Sequence, residues 1–304
     1  MSALWLAGGR QSRPAGITDR DHSPLYSEAV LARWERGRPP EVVATYRSPP
    51  EVAGPAVGHV FKGLSRDGDR WLACTERELV WFDDSGKPVD RLDHPWFNDV
   101  HHAVRHQGRV RVAVTGLDGV LEPESGRWWG PPIADRDWRR VDTRPHAVHP
   151  NHLFAHAGET WVTQFHAGEA SSVTAGSALA VGAPRIHDGV VRDGRVWFTV
   201  VDGRLRGVSP ADGTVDEIRM PGEHPMGWCR GLAPVPGGWA VGFTRLRATR
   251  WRHNLAWLRG TLRGDRTVTD QPTRVVVLEH GRVAEVLPVE ALGLHALFAI
   301  EPGP

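Results

Sequence analysis

Five stretches of the chain share one hydrophobic pattern: an apolar run, a glycine turn, then a second apolar run. They are residues 60–74 (VFKGLSRDGDRWLAC), 100–114 (VHHAVRHQGRVRVAV), 150–164 (PNHLFAHAGETWVTQ), 186–200 (IHDGVVRDGRVWFTV) and 229–243 (CRGLAPVPGGWAVGF). Each run has strand length, and turn pairs such as Asp67-Gly68, Asp193-Gly194, Asp202-Gly203 and Asp212-Gly213 mark hairpins. Further strand-like segments follow each phrase, for example 203–208 and 214–220 after the fourth. The turn glycines Gly68, Gly108, Gly158, Gly194 and Gly237 recur every 36 to 50 residues. A repeat near that length, built only of short strands, is the mark of propeller blades.

The pattern therefore predicts an all-β chain forming one β-propeller domain over residues 1–304, with six blades (seven as the alternative). The sixth blade is assembled from a C-terminal strand at 295–300 and N-terminal strands at 3–7 and 41–46, which closes the ring and removes exposed sheet edges. Residues 27–36 read either as a further strand or as a short surface helix. Two stretches leave the pattern: 131–150, read as a loop over one rim, and the Arg- and Trp-rich 245–274. Trp71, Trp161 and Trp197 each stand three residues after a turn glycine, which predicts packing between blades.

Counting back from the turn glycines sorts the histidines. Seven residues before them stand Phe61, His101, Asn151, His187 and Arg230; six before stand Lys62, His102, His152, Asp188 and Gly231. These are equivalent places where the innermost strands reach the central channel, so their side chains converge although distant in sequence. Imidazoles and carboxylates meeting at such a point suggest a divalent metal site, with His102 or His101, His152, His187 and Asp188 as ligands. Its metal-free counterpart is a polar pocket for an organic ligand. Lys62, His101 and Arg230 stand in the same set as candidate catalytic or electrostatic partners. Ten of the 16 histidines lie between His94 and His187. Of these His94, His146, His149, His156 and His166 have no equivalent position and are assigned to the rim or surface, and His106 to an exposed turn.

Charge and composition narrow the function. Basic and acidic residues number 37 and 36, for a net charge of +1, which argues against a nucleic-acid partner. The stretch 245–274 is accordingly read as a rim hairpin, or as a lid bringing Arg245, Arg247 or Arg250 over an anionic substrate. Two cysteines, Cys74 and Cys229, make no disulfide framework, and no signal peptide or membrane-length apolar run is found, so the expected location is cytoplasmic. No GxSxG elbow or Walker loop is present.

The phrases resemble the six-bladed senescence-marker/gluconolactonase (regucalcin-like) propellers, cousins of the paraoxonases and strictosidine synthases. Asn98-Asp99 in FNDV, Pro150-Asn151 in PNHL and Asp188-Gly189 in HDGVVRDGRVWFT carry the resemblance, in order and rough spacing across residues 60–245. It implies a divalent cation bound by Asn151 and Asp188, Asn98 near the substrate, and hydrolysis of a lactone or similar cyclic ester. The family's leading glutamate has no clear counterpart, His295 or Glu301 being the nearest candidates, and Asn98 stands ten residues before its glycine, out of step with Asn151. The extra histidines would convert a calcium-like, oxygen-rich site into a nitrogen-rich one suited to Zn²⁺, iron or copper. The expected function is a metal-dependent enzyme acting on a small molecule, lactonase- or esterase-like, with a histidine-ligated oxidoreductase or lyase as one alternative. A non-catalytic propeller that binds proteins through its rim loops is the other.

Overall fold

Among the described residues, twenty-four short strands alternate with turns. The computed structural model describes residues 3–12, 25–53, 58–220, 227–245 and 271–304. The first sheet contains β1 (Leu4–Gln11), β2 (Tyr26–Trp34) and β3 (Glu41–Tyr46). The second is β4 (Gly63–Asp67), β5 (Arg70–Cys74), β6 (Glu78–Phe82) and β7 (Pro88–Asp93); the third is β8 (Val100–His106), β9 (Arg109–Val114), β10 (Gly119–Glu122) and β11 (Arg127–Trp129). The fourth is β12 (Pro150–His156), β13 (Glu159–Gln164), β14 (Glu169–Ser172) and β15 (Ala178–Ala180). The fifth is β16 (Ile186–Arg192), β17 (Arg195–Val200), β18 (Arg204–Val208) and β19 (Val215–Arg219). The sixth is β20 (Trp228–Val235), β21 (Gly238–Thr244), β22 (Arg274–Glu279) and β23 (Arg282–Pro288). The last strand, β24 (Ala296–Pro302), returns to the first sheet and pairs antiparallel with β1, giving the order β24-β1-β2-β3. Six four-stranded antiparallel sheets in a ring make a six-bladed β-propeller, closed where the sequence predicted. Of residues 27–36, those up to Trp34 belong to strand β2, and none is helical.

The burial pattern explains why these segments fold as blades. Middle strands such as β6, ELVWF, are buried at every position because neighbouring blades cover both faces. Outer strands such as β7 and β19 are polar and exposed. Each interface between adjacent blades holds its own apolar cluster; the first and second blades, for example, share Trp5, Leu31, Phe61, Trp71 and Phe82. The third and fourth share Ala113, Val120, Leu153 and Val162. Cys74 and Cys229 are buried within β5 and β20. The five turn glycines sit at the hairpins between the first two strands of their blades with φ from +63° to +78°, a region where a side chain is strained.

Trp71 is fully buried, stacks on Trp5 at 4.6 Å between ring centroids and donates its indole N–H to Asp84 at 2.9 Å. Trp71→Ala is expected to cost about 3–5 kcal/mol, as a large-to-small change in a packed interface. Urea melts showing a loss below about 1 kcal/mol would contradict this packing. Trp161 and Trp197 also pack between blades, but both are half-buried. Among the described residues no helix is long and apolar enough to cross a membrane.

Candidate active site at the channel mouth

The innermost strands do not reach the channel in regular register. The pairing slips between Val100 and His102, between Pro150 and His152, between His187 and Val190, and between Cys229 and Leu232. Such bulges re-aim side chains, so consecutive residues of one strand can both reach the axis. One cavity of about 20 Å³, room for the centre of a water molecule or two, is lined by Lys62, His101, His102, Asn151, His152, His187, Asp188 and Arg230. Phe298 and Ala299 of β24 complete it. Eight of the ten residues singled out in the sequence thus meet at one place.

The other two lie elsewhere. The Asn98 amide donates to the carbonyls of Trp138 (2.5 Å) and Val141 (2.8 Å), so it fastens the loop after β11 and does not face the cavity. Arg245 makes a two-point ion pair with Glu290, at 2.8 and 2.7 Å. Arg247, Arg250 and most of the 245–274 stretch lie outside the described residues.

Charge at the mouth is organised around Asp99. Lys62 Nζ bonds Asp99 Oδ1 and lies 2.6 Å from Glu76 Oε1. Burial alone would lower its pKa, but Asp99 and Glu76 outweigh burial and hold Lys62 above its ordinary value, as an ammonium. Lys62 is therefore an electrostatic partner and not a base. Asp99 itself, despite burial, is held well below the ordinary carboxylate range by Lys62 and His101. His101 Nε2 stands 3.3 Å from Asp99 Oδ1. Burial pushes its pKa down to about 4, only partly offset by Asp99, so the ring is neutral at pH 7. With the N–H on Nε2 directed to Asp99, the basic lone pair is left on Nδ1.

The hydrogen bonds also fix the protons on two predicted metal ligands. Leu153 N–H donates to His102 Nδ1 at 3.2 Å, so His102 carries its hydrogen on Nε2, which faces the Leu64 carbonyl at 3.1 Å. Both of its ring nitrogens are spent on backbone, making His102 a strut between β4 and β12 and not a ligand. The Asn151 amide nitrogen donates to the Ile186 carbonyl (2.9 Å) and to His187 Nδ1 (2.9 Å). His187 must then carry its hydrogen on Nε2, and burial keeps the ring neutral. That N–H is buried without a hydrogen-bond partner, as is Asn151 Oδ1. A nitrogen bearing a hydrogen has no lone pair for a metal. Among the described residues, no three His, Cys, Asp or Glu side chains converge to hold an ion. As arranged, His102 and His187 do not fit the predicted metal shell.

Asp188 is buried, accepts bonds from the Thr199 hydroxyl and the Gly231 N–H, and is pushed up to about 6 by burial. On β24, Glu301 is pushed up to about 8 by burial and by Asp188. Asp99, His149 and Asp188 hold φ of +51°, +59° and +63°, left-handed backbone that costs a non-glycine residue energy and is concentrated at working sites.

His146 and His149, assigned to the rim from sequence, belong to this mouth. His149 packs against His101 (ring centroids 4.9 Å apart) and Phe165 (5.1 Å), and Phe165 packs against His187 (5.0 Å). His146 Nδ1 lies 3.1 Å from His149 Nδ1, and its side chain is 6% exposed. The only sequence signal was their crowding in PHAVHPNH, immediately before β12.

No family model and no curated protein matches this chain in sequence. Solved structures do match in shape. A protein of unknown function from Bacteroides caccae is 13% identical, with a TM-score of 0.65 and 99% of each chain covered. A catalytically inactive histidine-to-alanine variant of virginiamycin B lyase from Staphylococcus aureus, bound to quinupristin, is 11% identical with a TM-score of 0.51, covering 93% of this chain and 85% of its own. A chain of a nidogen/laminin complex is 11% identical with a TM-score of 0.59, covering 98% and 97%. At such identities the likeness carries the fold alone: a six-bladed β-propeller whose neighbours include a lyase and a partner-binding protein.

Proposed function

We propose that the channel mouth is the active site of an enzyme that acts on a small carbonyl compound by general acid–base chemistry, with hydrolysis of an ester or lactone as the leading reaction. The observation that carries this reading is the unpartnered pair, His187 Nε2–H and Asn151 Oδ1, buried beside a neutral His101 held by Asp99. An unpaired buried donor and acceptor cost stability unless a ligand satisfies them. In the hydrolytic cycle His101 Nδ1 takes a proton from water, whose oxygen attacks the carbonyl carbon. The developing oxyanion is stabilised by the His187 N–H and the nearby Arg230 guanidinium. As the C–O bond breaks, the leaving oxygen takes a proton from Asp188, which its raised pKa keeps partly protonated near neutrality. Asp99 holds the His101 ring and stabilises the imidazolium, while Lys62 keeps Asp99 ionised.

The test is a panel of small lactones and esters assayed before and after exhaustive chelation. Turnover that survives chelation and falls roughly 10²–10³-fold in His187→Phe is expected, the loss of one oxyanion donor. Turnover that vanishes on chelation and returns with a divalent ion would restore a metal to the centre of the mechanism.

A further inference from the structure

A cavity of about 20 Å³ holds water but no organic molecule, so a site of the kind proposed above must open. The innermost strands around it are locked into four-stranded sheets. The segment from 130 to 149 is not: it joins β11 to β12 with no strand or helix of its own, and much of it is exposed. Its inner end nevertheless delivers two imidazoles to the mouth, His149 against His101 and His146 with Nε2 4.0 Å from Asp99 Oδ2.

Three backbone bonds reach it, from Phe165 N–H to the His149 carbonyl (3.2 Å), from His166 N–H to Val148 (3.3 Å) and from its own Trp138 N–H to Pro95 (2.7 Å), and Ile133 and Trp138 pack on the neighbouring core; the rest of its hold is a few side-chain clips. The Asp118 carboxylate accepts three successive backbone N–H groups, from Ala147 (2.6 Å), Val148 (3.0 Å) and His149 (2.7 Å). The Asn98 clip on Trp138 and Val141 is braced by the Thr143 hydroxyl, 3.3 Å from Asn98 Oδ1. A segment held by scattered bonds and clips, with no continuous strand ladder, opens locally at lower cost than the sheets beneath it.

We infer that 130–149 is a lid latched by Asp118, which swings clear to admit substrate and on closing returns His146 and His149 to His101 and Asp99. Asp118 touches neither cavity nor substrate in this scheme; it is a positioning residue. Only the purpose of the motion rests on the proposed enzyme, because the motion itself can be measured without a substrate.

The experiment is amide hydrogen exchange on the full chain, read by peptide mass, together with acylation of histidines by diethyl pyrocarbonate. In the wild type, amides of 130–149 should exchange well before those of β8 and β12. In Asp118→Asn they should exchange roughly 10- to 100-fold faster, the loss of charge-assisted bonds, with β8 and β12 unchanged. Acylation of His101 and His149 should accelerate in parallel. Thr143→Val, which loosens the other clip, should shift the same peptides if Asp118→Asn does not fold. Lid peptides that exchange only together with β8 and β12, or that ignore both substitutions, would overturn the lid. A lid that opens in a protein with no turnover would count against the proposed enzyme alone; turnover above a lid that never opens would count against this inference alone.

Discussion

Lowering the pH from 7 to 5 is expected to remove a substantial part of the folding stability of this propeller. His101 and His102 are pushed down to about 4 by burial, His149 to about 2, and His152 and His187 well below their ordinary value. A histidine whose folded pKa is depressed stays neutral in the native state while the unfolded chain takes up its proton near pH 6.5. Stability therefore falls as the pH drops below about 6.5, and the loss continues until the folded pKa is reached. At pH 5 the difference of 1.5 units is worth about 2 kcal/mol for each of His101, His102 and His149, roughly 6 kcal/mol together, and His152 and His187 add to the loss in the same direction. Asp188 and Glu301 act in the opposite sense. Their raised pKa values make the native state bind protons first, which returns about 4 kcal/mol between pH 7 and 5. Asp99 loses its contribution only below the ordinary carboxylate range, outside this window. The net loss is about 2 kcal/mol before His152 and His187 add theirs, a sizeable share of the stability of a typical domain, about 5–15 kcal/mol. Urea midpoints that hold steady from pH 7 to 5 would show that these rings are not buried as neutral imidazoles.

The second large effect concerns turnover. His101→Ala should lower kcat by about 10²–10⁴, the usual worth of a positioned general base, while leaving KM within a few-fold. Asp99→Asn should fall in the same range, because an amide no longer requires the N–H on Nε2 and Nδ1 then loses its reserved lone pair. His102→Ala, by contrast, should act through stability, since both its nitrogens hold backbone across β4 and β12. The acid limb of the activity profile should begin with the loss of folding stability below about pH 6, before it reports the base itself, whose pKa lies at about 4. Full activity in His101→Ala would remove the dyad from the mechanism.

Much of this architecture is legible in the chain because a blade writes itself into sequence twice, as apolar runs and as a glycine turn at fixed phase. The same phase brought together the eight cavity residues, since position relative to the turn is position along the channel. It also separated Asn98, three residues out of step with Asn151, which the structure uses as a loop clip. What the phase could not convey was the state of each imidazole. The hydrogen on His187 is set by the Ile186 carbonyl acting through the Asn151 amide, and that on His102 by the Leu153 N–H of the next blade. Such bonds depend on bulges that shift register by a residue, and bulges leave no periodic mark. His146 and His149 were missed for a related reason. They sit on a segment with no phase at all, placed by a carboxylate some thirty residues earlier in the chain.

The seam between β24 and β1 also shapes how the protein must be made. Its Cα partners run from Leu4 with Pro302 to Gly9 with Ala296, pairs separated by almost the whole chain. During synthesis at ~5–20 residues per second, β1 waits for its neighbour for roughly 15–60 s. Through that interval the edge of the first sheet offers unpaired N–H and C=O groups and the apolar residues Leu4, Trp5 and Leu6 to any passing strand. The pairing that covers this edge in the finished molecule thus leaves it open in the nascent one, and it is there that a chaperone has most to shield.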